Sequence, residues 1–435
     1  MRVLLTGTLA AVAIVLAACM AAGSSDPLVG FGPNPPLPKP QKALLPTIGA
    51  PDAVGWPAGA APKAPPGFTV TRFAEGLDHP RWLLVLPNGD VLVAQSSSEP
   101  KPPKGIRGFF QNLIMKKVGS QQPSPNLITL LRDGDGDGVA ETRTVFARGV
   151  KRPFGMTLVG NTLYVATDHS VVRFPWSPGQ TAVQGAGETV FELPGEPLNH
   201  HWTKNVVASR DGTKLYATVG SNSNIGENGM AIEEGRAAIW EYDLATGRKR
   251  LFATGLRNPN GIDFEPQTGA MWTVVNERDE IGNDLPPDYL TSVKDGGFYG
   301  WPYSYWGKVV DARVKPQRPD LVAAAIPPDY GLGAHTASLG LAFYTADAFP
   351  EAYRGGAFIG QHGSWNRKPL NGYRVVFVPF ASGRPLAPAQ VFLTGFLDTD
   401  EKILGRPVGV AVDRRGGLLV ADDVGDIIWR VAPAR

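Results

Sequence analysis

From Gly67 onward the chain repeats one hydropathy pattern: a glycine or proline turn, an apolar run, a polar turn containing glycine, and a second apolar run. It reads HPRWLLVLPNGDVLVAQ from His79, RPFGMTLVGNTLYVATD from Arg152, HWTKNVVASRDGTKLYATVG from His201 and RNPNGIDFEPQTGAMWTVVN from Arg257. It returns as ASLGLAFYTADAFPEAYRGGAFIGQ from Ala337 and RPVGVAVDRRGGLLVADD from Arg406. Alternating runs joined by turns such as PNGD and RDG predict antiparallel hairpins. The six starts lie 73, 49, 56, 80 and 69 residues apart, too irregular for a solenoid. Six radially arranged four-stranded units make a β-propeller, an all-β architecture that leaves only short, protected strand edges. A pair of β-sandwiches is the alternative.

Two segments break the repeat. GIRGFFQNLIMKK at residues 105–117 predicts a short amphipathic helix inserted in the first unit. Residues 19–64 are rich in proline, alanine and glycine without sustained periodicity, which predicts an extended tether leading into a propeller over 65–435. Ahead of it, MRVLLTGTLAAVAIVLAACM has one arginine, an apolar run and then Leu16-Ala17-Ala18-Cys19, the layout of a secretory signal. This resembles a bacterial lipoprotein signal over residues 1–18, with lipidation at Cys19. A transmembrane anchor is the alternative, but about 16 apolar residues are short for a span of roughly 20. The expected location is the periplasmic face of a bacterial envelope, with membrane contact through the lipid anchor only.

Cys19 is the only cysteine, which excludes an intramolecular disulfide and a cysteine metal cluster. A net charge of +2 without a basic, aromatic-interleaved stripe argues against a nucleic-acid partner. GSNSNIG at 220–226 lacks the strand–elbow–helix context of a serine hydrolase.

Equivalent positions of propeller blades converge on one axis, so a residue type recurring at the inner-strand start forms a ring. That position reads His79, Arg152, His201, Arg257, the region of His335, and Arg406. The bland reading is that Arg-Pro and His-Pro start strands with solvated side chains, but the recurrence favours a ring. Cationic groups gathered in one funnel repel and lose hydration unless an anion joins them. No phosphate-binding glycine loop is present, so carboxylates are the expected occupant.

At this point the chain resembles the soluble quinoprotein aldose dehydrogenases, most closely their sorbosone dehydrogenase-like branch. The resemblance rests on HWTKN from His201 with RDG at 210–212, GLRNPNG at 255–261, the acidic stretch from Asn276 to Glu280, and GGFYGWP at 296–302, in this order. It implies a six-bladed propeller that holds pyrroloquinoline quinone (PQQ) and calcium in the funnel, oxidises an aldose or sugar aldehyde and passes electrons to an external acceptor. His201, not His200, implies the base, with Arg257 beside it. Arg257 and Asn258 imply contacts to the quinone's carboxylates and reactive oxygens, Arg406 a late clamping arginine, and Arg152 and His335 further pocket residues. Two departures stand out: Val408 where the family has a second late arginine, and Gly363 where it has a cofactor-binding lysine. Arg367 or Lys368 is the expected substitute cation. A propeller lactonase, or a sugar- or partner-binding propeller that has lost catalysis, are the alternatives.

The resemblance aligns NERDEIGND at 276–284 with a loop whose backbone carbonyls hold calcium, around Asp279 and Glu280, and calcium takes such oxygen ligands. Separately, RDGDGDGVAET places Asp133, Asp135 and Asp137 at alternating positions with glycine following, which resembles the first half of an EF-hand loop. Position twelve of that loop is Thr144 rather than a glutamate, so a plain turn is the alternative.

Overall fold

The computed structural model describes residues 23–41, 49, 51–98, 117–119, 122–196, 198–386 and 388–434. The expected signal with Cys19, and the expected helix over 105–117 apart from Lys117, lie outside them.

Six four-stranded antiparallel units form the body. Blade 1 comprises Pro80–Val85, Val91–Gln95, Leu127–Arg132 and Thr142–Arg148, and blade 2 comprises Met156–Val159, Thr162–Ala166, Ser170–Pro175 and Glu188–Glu192. Blade 3 runs through Val206–Ala208, Lys214–Val219, Ala238–Asp243 and Lys249–Thr254; blade 4 through Asn258–Phe264, Met271–Asn276, Pro287–Ser292 and Tyr330–Ala334. Blade 5 holds Ser338–Phe343, Ala357–Gln361, Arg374–Val378 and Gln390–Leu393. Blade 6 takes Pro407–Val412, Leu418–Asp422 and Ile427–Pro433 from the C-terminus, and its outer strand, Phe68–Ala74, from the start of the body. Joining the two chain ends in one sheet completes blade 6 and closes the ring.

Each sequence repeat begins at the inner strand of one blade. The recurring glycine of that strand has a steric cause: neighbouring inner strands converge on the axis, and no side chain fits between them. A Cβ on Gly155 would lie 2.4 Å from the Val206 nitrogen, one on Gly261 2.6 Å from the Leu339 carbonyl, and one on Gly340 2.2 Å from the Val408 carbonyl. The second strands, such as Val91–Gln95 and Leu418–Asp422, are buried throughout because both their faces pack against neighbouring blades. Val408 is fully buried in the cluster of Trp82, Phe154 and Leu339, so the position where the family has a second arginine is a packing site here.

The expected tether docks on the body at several described points. Phe31–Gly32 pairs with Leu332 and Gly331 at the edge of blade 4, and the Arg374 guanidinium lies 5.4 Å over the Phe31 ring. Further on, the Trp56 indole donates to Asp422 at 2.6 Å and packs edge-on against Trp429 at 5.1 Å. Its apolar residues are too few to form a core alone but enough to dock on an existing one.

Candidate active site

The first residue of an inner strand pairs with the last of the second strand: Pro80 with Gln95, Asn258 with Asn276, Ser338 with Gln361, Pro407 with Asp422. Both flanking loops of every blade therefore open on the same end of the propeller. The inner-strand starts bring the residues read from sequence, and the second-strand ends bring a second ring: Ser96, Asp168, Ser221, Asp279, His362 and Asp423. Of these only Asp279 was read from the sequence, although VATDHS, TVGSNS, VNERDE, GQHGS and VADDVGD stand at corresponding places in five repeats.

His201 is half-buried while His200 is exposed. The His201 Nδ1 lies 2.7 Å from the Ser221 carbonyl, which can only accept, so Nδ1 carries the proton and Nε2 the lone pair. Burial, and then the Arg257 charge, push the imidazole pKa down to about 3, which keeps it neutral. Asn258 is buried with its Nδ2 donating to Asn276 Oδ1 at 3.2 Å, while its own Oδ1 has no partner among the described residues.

Arg257 is buried and fully engaged: its guanidinium donates to the Glu277 carbonyl at 2.6 Å, Asn224 Oδ1 at 3.1 Å and Asp279 Oδ2 at 2.9 Å. Burial alone would raise the Asp279 pKa, but Arg257 and His335 hold it below the usual carboxylate range. Asn366 donates to Asp279 Oδ1 at 2.8 Å, and His335 approaches the same oxygen at 3.4 Å while its Nε2 donates to the Gly282 carbonyl at 2.8 Å. Glu280 turns outward, with Arg313 at 3.6 Å.

As a calcium loop, 276–284 is crowded. The carbonyls of Glu277, Asp279, Gly282 and Asn283 accept from Arg257, Arg278, His335 and Arg367. The Asp279 carbonyl also accepts from Asn224 at 3.3 Å and is saturated, whereas those of Glu277 and Gly282 accept one bond each and still offer a lone pair to calcium. Asp133, Asp135 and Asp137 are joined by Glu141, with ligand oxygens all within 4.8 Å of one another. That set suits a hard cation, and Glu141, four residues after Asp137 in the same RDGDGDGVAET stretch, completes it.

Beside the axis, Asp423 is buried and its Oδ2 takes the Arg81 guanidinium and His362 Nε2, the latter at 2.8 Å, with His79 Nε2 at 3.6 Å. Arg81 was missed in the sequence because it sits inside the strand rather than at its start. Burial, then Arg406, push His362 down to about 3, so it is neutral and donates to an ionised Asp423. Arg406 donates to the carbonyls of His362 and Gly363, each at 2.9 Å, and lies 5.6 Å over the Tyr373 ring. A Cβ at Gly363 would meet that ring at 2.4 Å, which is why no lysine stands there. Arg152 is ion-paired with Asp168.

The expected substitute cations do not face this cluster. Arg367 spends its donors on the Asn283 carbonyl at 2.9 Å, Asp284 at 2.6 Å, the Ser24 carbonyl at 2.8 Å and the Pro369 carbonyl, and Lys368 is exposed. The ring is thus not the bare cationic funnel expected: Asp168 and Asp279 answer Arg152 and Arg257, and Asp423 answers Arg81 beside it. Lys204, fully buried with its ammonium 3.4 Å from Asn199 Oδ1, has a pKa lowered by burial to about 7.

Comparison with known proteins places this geometry. An uncharacterized protein of Borreliella burgdorferi is 27% identical over 364 residues, covering 78% of this chain and 93% of its own. The PQQ-dependent pyranose dehydrogenase of Coprinopsis cinerea is 25% identical over 381 residues, 76% of this chain; the match spans 47% of that enzyme, about half its length. Among solved structures, a Trichoderma reesei carbohydrate-active enzyme of family AA12 superposes with a TM-score of 0.68 at 20% identity, covering 90% of this chain and 99% of that one. The holo PQQ domain of the Coprinopsis enzyme superposes with a TM-score of 0.66 at 20% identity, covering 86% and 97%. Residues 240–366 match the glucose/sorbosone dehydrogenase family. Residues 124–292 and 319–433 match the TrAA12-like family, and with six blades around the His201–Arg257 cluster the chain belongs to that family.

Proposed function

We propose that this protein oxidises an aldose or sugar aldehyde with PQQ and calcium, and that electrons then pass to an external acceptor. The observation that carries the reading is the tautomer of His201: its Nε2 lone pair stands in a cluster with buried Arg257 and with Asn258, whose Oδ1 is unpartnered. The residues fit the cofactor's chemistry through charge, because buried guanidinium groups suit a planar tricarboxylate. Arg257 and Arg406, whose N–H groups are already engaged by the chain, would hold it through their charge, with Asn258 beside them. Asp133, Asp135, Asp137 and Glu141, or carbonyls of 276–284, would hold calcium. Two of the relatives support the reading, a PQQ-dependent pyranose dehydrogenase of Coprinopsis cinerea and a PQQ-dependent sugar dehydrogenase of Hypocrea jecorina, and a calcium structure of the Trichoderma enzyme is known.

When bound, PQQ supplies a hydride acceptor and calcium a positive charge that polarises it. The chain's own part is proton transfer and positioning. His201 Nε2 takes the proton of the sugar hydroxyl, and the Ser221 carbonyl stabilises the imidazolium by accepting its Nδ1–H. A pKa of about 3 makes that transfer costly, and an anionic ligand beside Arg257 would offset the field that lowers it. Arg257, held by Asp279 and Asn224, presents a fixed positive charge with no reorganisation.

We place the chain, by its Leu16–Cys19 signal, on the periplasmic face of a bacterial envelope with Cys19 lipidated. The test of function is titration of purified protein with PQQ and calcium, followed by dye reduction with an aldose panel. A saturable quinone spectrum bleached by sugar, with kcat reduced about 10²–10⁴-fold in His201→Ala, supports the reading. Absence of quinone binding at saturating calcium overturns it and favours a binding protein.

A further inference from the structure

Residues 23–41 are tied at both ends to the end of the propeller that carries the His201–Arg257 cluster. The Gly23 amide donates to the Lys368 carbonyl at 2.8 Å, the Ser24 amide donates to Asp284 Oδ2 at 2.8 Å, and Arg367 donates back to the Ser24 carbonyl at 2.8 Å. Gly23 is wedged there: a Cβ on it would lie 3.0 Å from Asn283 Cβ and 3.0 Å from Arg367 Nη2. Asn366, next to Arg367, donates to the same Asp279 that holds Arg257. Further along, the Arg374 guanidinium donates to the Pro27 carbonyl at 2.6 Å and Phe31–Gly32 joins the edge of blade 4. Leu37 then packs against Ile281, Leu285 and Tyr305, and the Gln41 amide donates to the Ile281 carbonyl at 2.9 Å. Bonds at both ends and strand pairing between them make this segment a strap, without the freedom of a flexible linker.

The strap limits where an anchor can be. Cys19 stands four residues before Gly23, and four residues span at most about 14 Å. A lipid on Cys19 therefore meets the bilayer within that reach of the 276–284 and 366–369 loops. The surface around this point is positive. Lys39, Lys308, Lys315 and Lys368 are exposed and hold no ion pair among the described residues, whereas Arg313 and Arg318 are paired with Glu280 and Asp320. Against them, Asp26 is the exposed acid of the strap. Each lysine close to an anionic leaflet contributes about 1 kcal/mol. The loop leading into blade 6 carries Asp398, Asp400 and Glu401 instead, which confines the contact to the blade 4 side.

We propose that the protein lies on its membrane with the blade 4 side of the site-bearing end against an anionic lipid leaflet, held by the strap and by these four lysines. This rests on the lipid anchor at Cys19 proposed above. The strap thus orients the propeller, and the opening over His201 borders the bilayer.

The experiment uses the full chain, purified from membranes and reconstituted in phosphatidylethanolamine–phosphatidylglycerol vesicles that contain a lipid with a nitroxide quencher at its headgroup. The lipid occupies the only native cysteine, so a fluorophore can be placed on Ala312→Cys, in the exposed loop that meets 276–284, or on Arg414→Cys, in the turn at the opposite end of blade 6. Most of the fluorescence should be lost at position 312 and little at 414, and the loss at 312 should weaken in phosphatidylcholine vesicles, which carry no net charge. A Gly-Ser linker of about 20 residues inserted between Ala22 and Gly23, with a root-mean-square length of about 25 Å, should also reduce the loss at 312 while leaving the protein membrane-bound. Intact mass separates the two readings. Equal quenching at both positions, or quenching at 414 alone, in a protein whose mass includes the acyl chains overturns the orientation and leaves the anchor standing. A mass without acyl chains overturns the anchor and the orientation with it.

Discussion

His201 and Asn258 are held against the same glycine. A Cβ built on Gly220 would stand 2.5 Å from the Cβ of His201 and 2.3 Å from Oδ1 of Asn258, so the imidazole and the amide can close on each other only because residue 220 has no side chain. Ser221, which sets the His201 tautomer, is the next residue along. One short stretch after the second strand of blade 3 therefore positions both groups and orients one of them.

Gly220→Ala should for that reason act on catalysis more than on folding. The added methyl must push His201 or Asn258 aside, and a displacement near 1 Å costs roughly 10²-fold in rate. Steady-state kinetics beside a thermal melt decide the matter: a variant with unchanged kcat would show that the two groups need not be this close.

His362→Gln should change how stability depends on pH. In the wild type the folded imidazole stays neutral to about 3, whereas the unfolded one binds a proton below about 6.5. Between those values the unfolded state holds more protons, so this group costs stability as pH falls, about 1.4 kcal/mol per pH unit. Glutamine can still donate to Asp423 and does not titrate. Urea unfolding at pH 7, 6 and 5 should show the variant gaining on the wild type as pH drops, and parallel curves would rule this out.

Arg367→Ala should cost stability, about 3–5 kcal/mol, because it leaves Asp284 and the carbonyls of Asn283 and Ser24 without their donor. PQQ affinity measured at a temperature where the variant is folded should stay within about twofold of the wild type, a change well under 1.4 kcal/mol. A selective loss of cofactor binding would restore Arg367 to the clamp.

Calcium should raise the melting temperature, and Asp135→Asn with Asp137→Asn should abolish that rise if the four-carboxylate loop is where it binds. A rise that persists in the double variant would move the ion to the 276–284 loop.

The sequence by itself determined the six repeats and placed His201 and Arg257 at inner-strand starts, because strand alternation leaves a mark every repeat; the roles given to them and to Asn258 rest on the family resemblance. Only the tertiary structure decided which charges meet. Arg81 and Asp423 are 342 residues apart, Arg367 and Ser24 are 343 apart, and nothing in local periodicity reports a contact between blades. The packing of blade on blade set these pairs. It placed Arg367 among carbonyls at the N-terminal segment, filled the space beside Gly363 with Tyr373, and left Arg81, unremarkable in HPRWLL, beside the axis with an unclaimed Nε.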